Sequence, residues 1–194
     1  MEKNRNPRRR ENVRTLERKI RVELLDPIDL SVEERELVRR ASYARLNAQA
    51  PYSMYWVGAV VLSKLGVTYT GCNVERATYT QTTHAEQNAS DSMVAAEGRG
   101  AKIVALAIVG APAGEDIWNV ERFGMRPLKP EVEVEDFCFA CGHCLQIIWE
   151  NCLADKNVKL LLLTKWGEVA RTTIGDAFPM RFGPESLGID IRKR

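Results

Sequence analysis

No apolar run in the 194 residues approaches the ~18 needed to cross a bilayer, so nothing reads as a membrane span. The combination of charged start, apolar stretch and small-residue cleavage site is also missing, and secretion is not expected. A disulfide framework is disfavoured: the five cysteines are odd in number, and three of them, Cys138, Cys141 and Cys144, crowd together. That pattern fits a reducing compartment and a metal, and the expected location is the cytoplasm. There is no internal repeat and no low-complexity tract. The length suits one domain with a real core.

What charge there is lies unevenly. Residues 1–22 carry nine Lys/Arg against three Glu, a balance of +6, whereas the rest carries 19 basic and 23 acidic residues, a balance of −4. Nucleic-acid contact by such an arm is disfavoured because no aromatic side chain interleaves the charges. A solvated tail, or docking on an acidic neighbouring subunit, is the better reading. Val13, Leu16, Ile20 and Leu24 fall at spacings of three, four and four, which predicts an amphipathic helix in part of the arm. The domain division expected is therefore a basic arm over 1–30 and one folded domain over 31–194.

Ser31 and Glu34 form a capping box, and the run to about Asn47 reads as a helix. Val57–Lys64 and Val67–Cys72 read as strands turning at Gly66. A helix rich in Ala and Glu starts at His84 and stops at Gly98 and Gly100. Ile103–Val109 reads as a strand, Val132–Phe137 as a weaker one, and a helix runs from the cysteines to about Cys152. Val158–Leu163 and Glu168–Thr173 complete a strand pair around Gly167. The order predicts an α/β fold, a three-layer sandwich with a mixed central β-sheet flanked by helices. Between the third strand and the cysteines, Ala111–Pro130 holds three Pro and two Gly. It reads as an inserted loop of about 20 residues carrying Trp118, Phe123 and Met125, either a functional lid or a surface insert.

Two stretches carry chemistry. Thr83-His84-Ala85-Glu86-Gln87 sets an imidazole two residues before a carboxylate, and Cys141-Gly142-His143-Cys144 follows 55 residues after Glu86. One His and two Cys offer three ligands for zinc and leave its fourth position open to water, with Glu86 free to carry protons. Thiolates at a helix start are favoured by the dipole and the free amides. The rival readings are a redox Cys-x-x-Cys pair, which leaves His84 and Glu86 unexplained, and half of a four-cysteine structural site, which wants a second Cys-x-x-Cys that is missing. Cys138 makes an overlapping Cys-x-x-Cys step with Cys141 and is the alternative ligand. His143 reads as a bystander or a support to the ligands.

Beyond these motifs the chain resembles the cytidine deaminase family. Ala50-Pro51-Tyr52-Ser53-Met54-Tyr55-Trp56-Val57-Gly58-Ala59 is similar to the family's Pro-Tyr-Ser segment ending in Val-Gly-Ala. Gly71-Cys72-Asn73-Val74-Glu75 is similar to its Gly-Cys-Asn-Val-Glu strand end, and Pro179-Met180-Arg181-Phe182-Gly183-Pro184 to its Pro-x-x-Phe-Gly-Pro. The likeness covers about residues 36–189. It implies zinc on His84, Cys141 and Cys144, Glu86 as proton shuttle, and Asn73 and Glu75 on the ribose hydroxyls. It further implies Tyr55 and Ala85 at the base, and Phe182 reaching a neighbouring subunit's site. A homo-oligomer follows, a tetramer rather than a dimer, acting on a small nucleoside.

There are departures. Many small members have Cys first and an Arg after the Glu, where this chain has His84 and Gln87. The swap is self-consistent, because one imidazole and two thiolates leave zinc neutral and no Arg is needed. Ala140, Leu145 and Arg76 replace a Pro, an Arg and an Asn. The resemblance implies deamination of cytidine or deoxycytidine. Deoxycytidylate or a modified cytosine nucleoside is the alternative substrate, and a nucleic-acid-binding or editing protein using the basic arm is the alternative from another class.

Overall fold

The computed structural model describes residues 14–115, 133, 136–164 and 166–193. Six strands form one sheet in the order β1-β6-β5-β4-β2-β3: β1 Glu23–Leu25, β2 Tyr55–Ser63, β3 Thr68–Cys72, β4 Ile103–Pro112, β5 Lys159–Leu163 and β6 Val169–Thr173. All neighbours run antiparallel except β4 and β5, so the sheet is mixed.

The helices are α1 Val32–Ala44, α2 Ala85–Glu97, α3 Gly142–Asn151 and the short α4 Ile174–Ala177. Strand periodicity divides the core in two. Ala59 and Val61 of β2, Leu106 and Ile108 of β4, and Leu160 and Leu162 of β5 face one side, where Ala85, Ala89 and Met93 of α2 and Ile148 and Trp149 of α3 cover them. The alternate residues Val60, Leu62, Ala107, Val109, Leu161 and Leu163 face α1 through Leu37, Val38 and Ala41. A sheet buried on both faces has to be the middle of three layers, which is the architecture the element order predicts.

The starts of α1 and α2 differ in kind. Ser31 Oγ accepts from the Glu34 N–H at 3.1 Å while Glu34 Oε2 accepts from the Ser31 N–H at 3.1 Å, closing the capping box. His84 occupies the same place before α2 but makes no capping bond, so its ring is free for other work. Gly71 sets how deep α2 lies. A Cβ there would collide with Ala85 O and Ala89 N, so Gly71→Ala forces the helix, and with it His84 and Glu86, off the sheet.

Two expectations need correction. The helix predicted from Leu16, Ile20 and Leu24 does not form: residues 14–22 carry no helix, Leu16 stays 97% exposed, and Leu24 sits in β1. Tertiary pairing overrides the local period, because Glu23–Leu25 add to β6 in register with Arg171–Val169 and satisfy its edge groups. Val13 lies outside the described residues. The strand predicted over Val132–Phe137 reduces, among the described residues, to one antiparallel bridge from Phe137 to Thr164. Positions 132, 134 and 135 lie outside the described residues, as do 1–13 of the arm and 116–130 of the insertion, including Trp118, Phe123 and Met125. No helix among the described residues is long and apolar enough to cross a membrane.

Candidate active site

Helices α2 and α3 pack against each other, and their starts come together at His84, Cys141 and Cys144. His84 stands immediately before α2 and Cys141 immediately before α3, both in extended backbone. From these two positions, and from buried Cys144 in the first turn of α3, three side chains converge. His84 Nδ1 lies 3.5 Å from Cys141 Sγ and 3.3 Å from Cys144 Sγ, and all three donor atoms fall within 4.8 Å of one another.

These distances fit zinc. Bonds of about 2.0–2.3 Å in a tetrahedron put neighbouring donors roughly 3.5–3.8 Å apart, and the observed separations lie at that edge length or just inside it. Imidazole with two thiols is a donor set for zinc and ill-suited to magnesium or calcium. Cys138 and His143 stand outside this donor group. His143 is exposed, its ring 5.7 Å from that of His84 and tilted by 59°.

Glu86 lies in the first turn of α2, 5% exposed. Burial pushes its carboxyl above the usual carboxylate range, against a hydrogen bond from its own backbone N–H, the His84 ring and the Cys144 thiol. Burial and the Glu86 carboxylate together push the Cys144 thiol up. A divalent cation inverts that order, since a coordinating thiol is deprotonated outright. The arrangement thus holds one buried carboxyl beside three candidate metal donors.

The other residues singled out from sequence surround this centre unevenly. Asn73, just past β3, spends its amide on the start of β2: Oδ1 accepts from the Val57 N–H at 2.9 Å and Nδ2 donates to Tyr55 O at 2.9 Å. Glu75 Oε2 accepts from the Tyr52 N–H at 2.8 Å and the Ser53 N–H at 3.2 Å, and the Ser53 and Tyr52 contacts hold its carboxyl below the usual range. Both residues therefore brace the 52–57 segment, and both keep unused lone pairs, Asn73 a free N–H as well. Ala85 is buried as the first residue of α2, where backbone amides lack intrahelical partners. Tyr55 lies beside Cys138 where both flank Gly110, and burial first, then that thiol, raise its hydroxyl to about 12. Phe182 is 62% exposed and is not part of the core.

Sequence reading missed the supports. Asn88 Nδ2 donates to Cys72 O at 3.2 Å and ties α2 to β3; its position one turn after His84 is the signal that could have found it. Ser90 Oγ donates to Glu86 O at 2.7 Å inside the core. Cys138 proves to be the partner of Tyr55, set against Gly110 of β4, and burial followed by the Glu86 charge raises its thiol to about 12.

Residues 31–160 match the model of the cytidine and deoxycytidylate deaminase zinc-binding region. The chain is 32% identical over 152 residues to a cytidine deaminase of Sporosarcina psychrophila, covering 78% of this chain and 93% of that one. It is 31% identical over 156 residues to a cytidine deaminase of Halalkalibacterium halodurans, covering 80% and 98%. Among solved structures, the cytidine deaminase of Burkholderia pseudomallei superposes with a TM-score of 0.60 at 29% identity, covering 79% of this chain and all of that one.

Proposed function

The chain belongs to the cytidine and deoxycytidylate deaminase family, and on that premise we propose that it hydrolyses cytidine to uridine and ammonia. The observation that carries this reading is the buried Glu86 carboxyl beside the His84, Cys141 and Cys144 donors. Zinc, when bound, supplies a Lewis acid that lets water act as a nucleophile near neutral pH. With zinc held by His84, Cys141 and Cys144, Glu86 would move one proton of the attacking water to the ring N3 as the C4–O bond forms. It would move the second, from the new C4 hydroxyl, to the amine as the C4–N bond breaks and ammonia leaves. Burial raises this carboxyl above the usual carboxylate range, the direction that suits a group that must both take and give a proton. Water is consumed and ammonia released, with no change of oxidation state.

Asn73 and Glu75 would hold the ribose with the capacity their bonds to the 52–57 segment leave free. Tyr55 and the Ala85 amide would border the base. Glu75, held ionised by backbone amides, would repel a 5′-phosphate placed nearby, which favours the nucleoside over deoxycytidylate. Deoxycytidine and modified cytosine nucleosides remain in the same substrate class.

Assembly as a homo-oligomer is supported by Phe182, Met180, Leu187 and Ile189, all exposed along the last described segment, and the resemblance favours a tetramer before a dimer. Five unpaired cysteines favour a reducing, cytoplasmic setting. The described part of the arm is bonded to the chain's own sheet edge, which weighs against nucleic-acid binding through it. The test is direct: zinc-replete protein, without polynucleotide, is assayed for uridine and ammonia from cytidine beside deoxycytidine, deoxycytidylate and free cytosine. Absence of cytidine turnover in protein holding one zinc per chain would overturn the reading.

A further inference from the structure

We propose that residues 14–25 of the arm are a strap that holds the C-terminal segment 175–185 in place, with Arg18 as a positioning residue for Phe182. The strap is anchored at one end by the sheet. β1 pairs with β6, Thr172 Oγ1 donates to Arg21 O at 2.7 Å, and Arg171 meets Glu23 at 2.8 and 2.9 Å. From that anchor Arg18 reaches back over α4. Its Nη2 donates to Gly175 O at 3.0 Å and its Nη1 to Pro179 O at 3.1 Å.

One guanidinium thereby joins two carbonyls four residues apart, across the end of a helix whose last carbonyls have no intrahelical partner. The rigid fork of Arg suits such a span, whereas an ammonium is a single point of attachment. A second hold brackets Phe182: Arg181, immediately before it, lies 3.7 Å over the Trp149 ring, donates to Phe178 O at 3.2 Å and pairs with Glu185 at 3.6 Å, and Trp149 Nε1 donates to the same Glu185, beyond it, at 3.3 Å. On the backbone that these holds fix, Met180 is 93% exposed and Phe182 62% exposed. Side chains so exposed have little packing of their own to place them. Their position is inherited from the backbone, and Arg18 is what pins that backbone on the arm side.

The functional half of this inference rests on Phe182 reaching a neighbouring subunit's substrate, as the family resemblance implies, so the experiment separates the two. Amide hydrogen exchange over 175–185 and KM and kcat for cytidine are measured on zinc-loaded full-length protein, as Arg18→Ala, Arg18→Lys, Phe182→Ala and the Arg18→Ala/Phe182→Ala double variant. The strap predicts about tenfold faster exchange in Arg18→Ala, the scale of a lost charge-assisted bond, with Arg18→Lys in between. The positioning role predicts a several-fold higher KM in Arg18→Ala, kcat within about twofold, one zinc per chain throughout, and no further loss when Phe182→Ala is added. Unchanged exchange in Arg18→Ala overturns the strap. Faster exchange with a KM that only Phe182→Ala raises overturns the positioning role. Faster exchange with neither variant moving KM upholds the strap and overturns the reading of Phe182.

Discussion

Replacing Asn73 by Ala removes two hydrogen bonds of 2.9 Å that hold the first residues of β2, one to the Val57 N–H and one to Tyr55 O. Their losses are unequal. Tyr55 O is at the surface and water replaces its donor, so that bond contributes only about 0.5 kcal/mol. Val57 is half-buried, and its N–H goes largely unpaired at a cost of about 1–2 kcal/mol. The sum, about 2 kcal/mol, corresponds to a fall in melting temperature of roughly 4–8 °C for a chain of this size. The same change removes the amide proposed to hold the ribose, so cytidine KM should rise more than that of free cytosine, which has no ribose to lose. Asn73→Asp keeps the acceptor for Val57 and should recover the larger part of the lost stability, about 1–2 kcal/mol. Calorimetry and a two-substrate assay read all of this. A melting temperature within a degree of the parent would refute the bracing, and equal losses for cytidine and cytosine would refute the sugar contact.

Three further outcomes are expected. Glu86→Gln keeps the zinc and the fold yet lowers kcat by about 10²–10⁴-fold or more, read by metal analysis and turnover; activity within tenfold would assign the proton to another group. Cys144→Ala, and equally Cys141→Ala, loses the zinc, measured as metal per chain after gel filtration, because two remaining donors hold the ion poorly. Burial alone would raise the Glu34 carboxyl, but Lys159 at 2.9 Å, the Ser31 amide and Arg171 outweigh it and hold it at about 2. A lowered folded value stabilises above the unfolded value near 4.5, and that contribution is lost as pH falls from there toward 2. Acid titration of the melting temperature should therefore flatten in Glu34→Gln over that window, with a loss near neutral pH of about 2 kcal/mol after allowing for the half-exposed Lys159.

The elements that announce themselves locally were legible in the sequence. Ser31 and Glu34 sit three apart and can satisfy each other's amides wherever the chain goes, and β5 is a run of Leu bounded by turns. The metal donors were legible for a different reason: His84 and Cys141 each open a helix, and a chemistry of three ligands and one carboxyl constrains which residues can meet. What stayed hidden is what only the third dimension pairs. Glu23–Leu25 have a helical neighbourhood in sequence and become a strand because β6 offers an edge. α4, four residues long, is held by its surroundings rather than by propensity. Asn73 and Glu75 read as polar groups for a ligand, and nothing local says that they first serve the backbone of 52–57. Cys138 could be seen as a spare thiol but not as the partner of Tyr55, since that contact crosses from the cysteine segment to the start of β2.

The short strand β1 has a consequence for how copies of this molecule meet in solution. Without it, the five residues of β6 would present a flat row of unpaired amides and carbonyls beside Val169 and Ala170, the kind of edge along which sheets join and aggregate. Three residues of arm convert that edge into a shorter one flanked by Arg21 and Glu23, where charge discourages a second strand from adding. The arm is thus a guard on solubility: a protein truncated through Leu25 would lose β1 and uncover a surface prone to self-association.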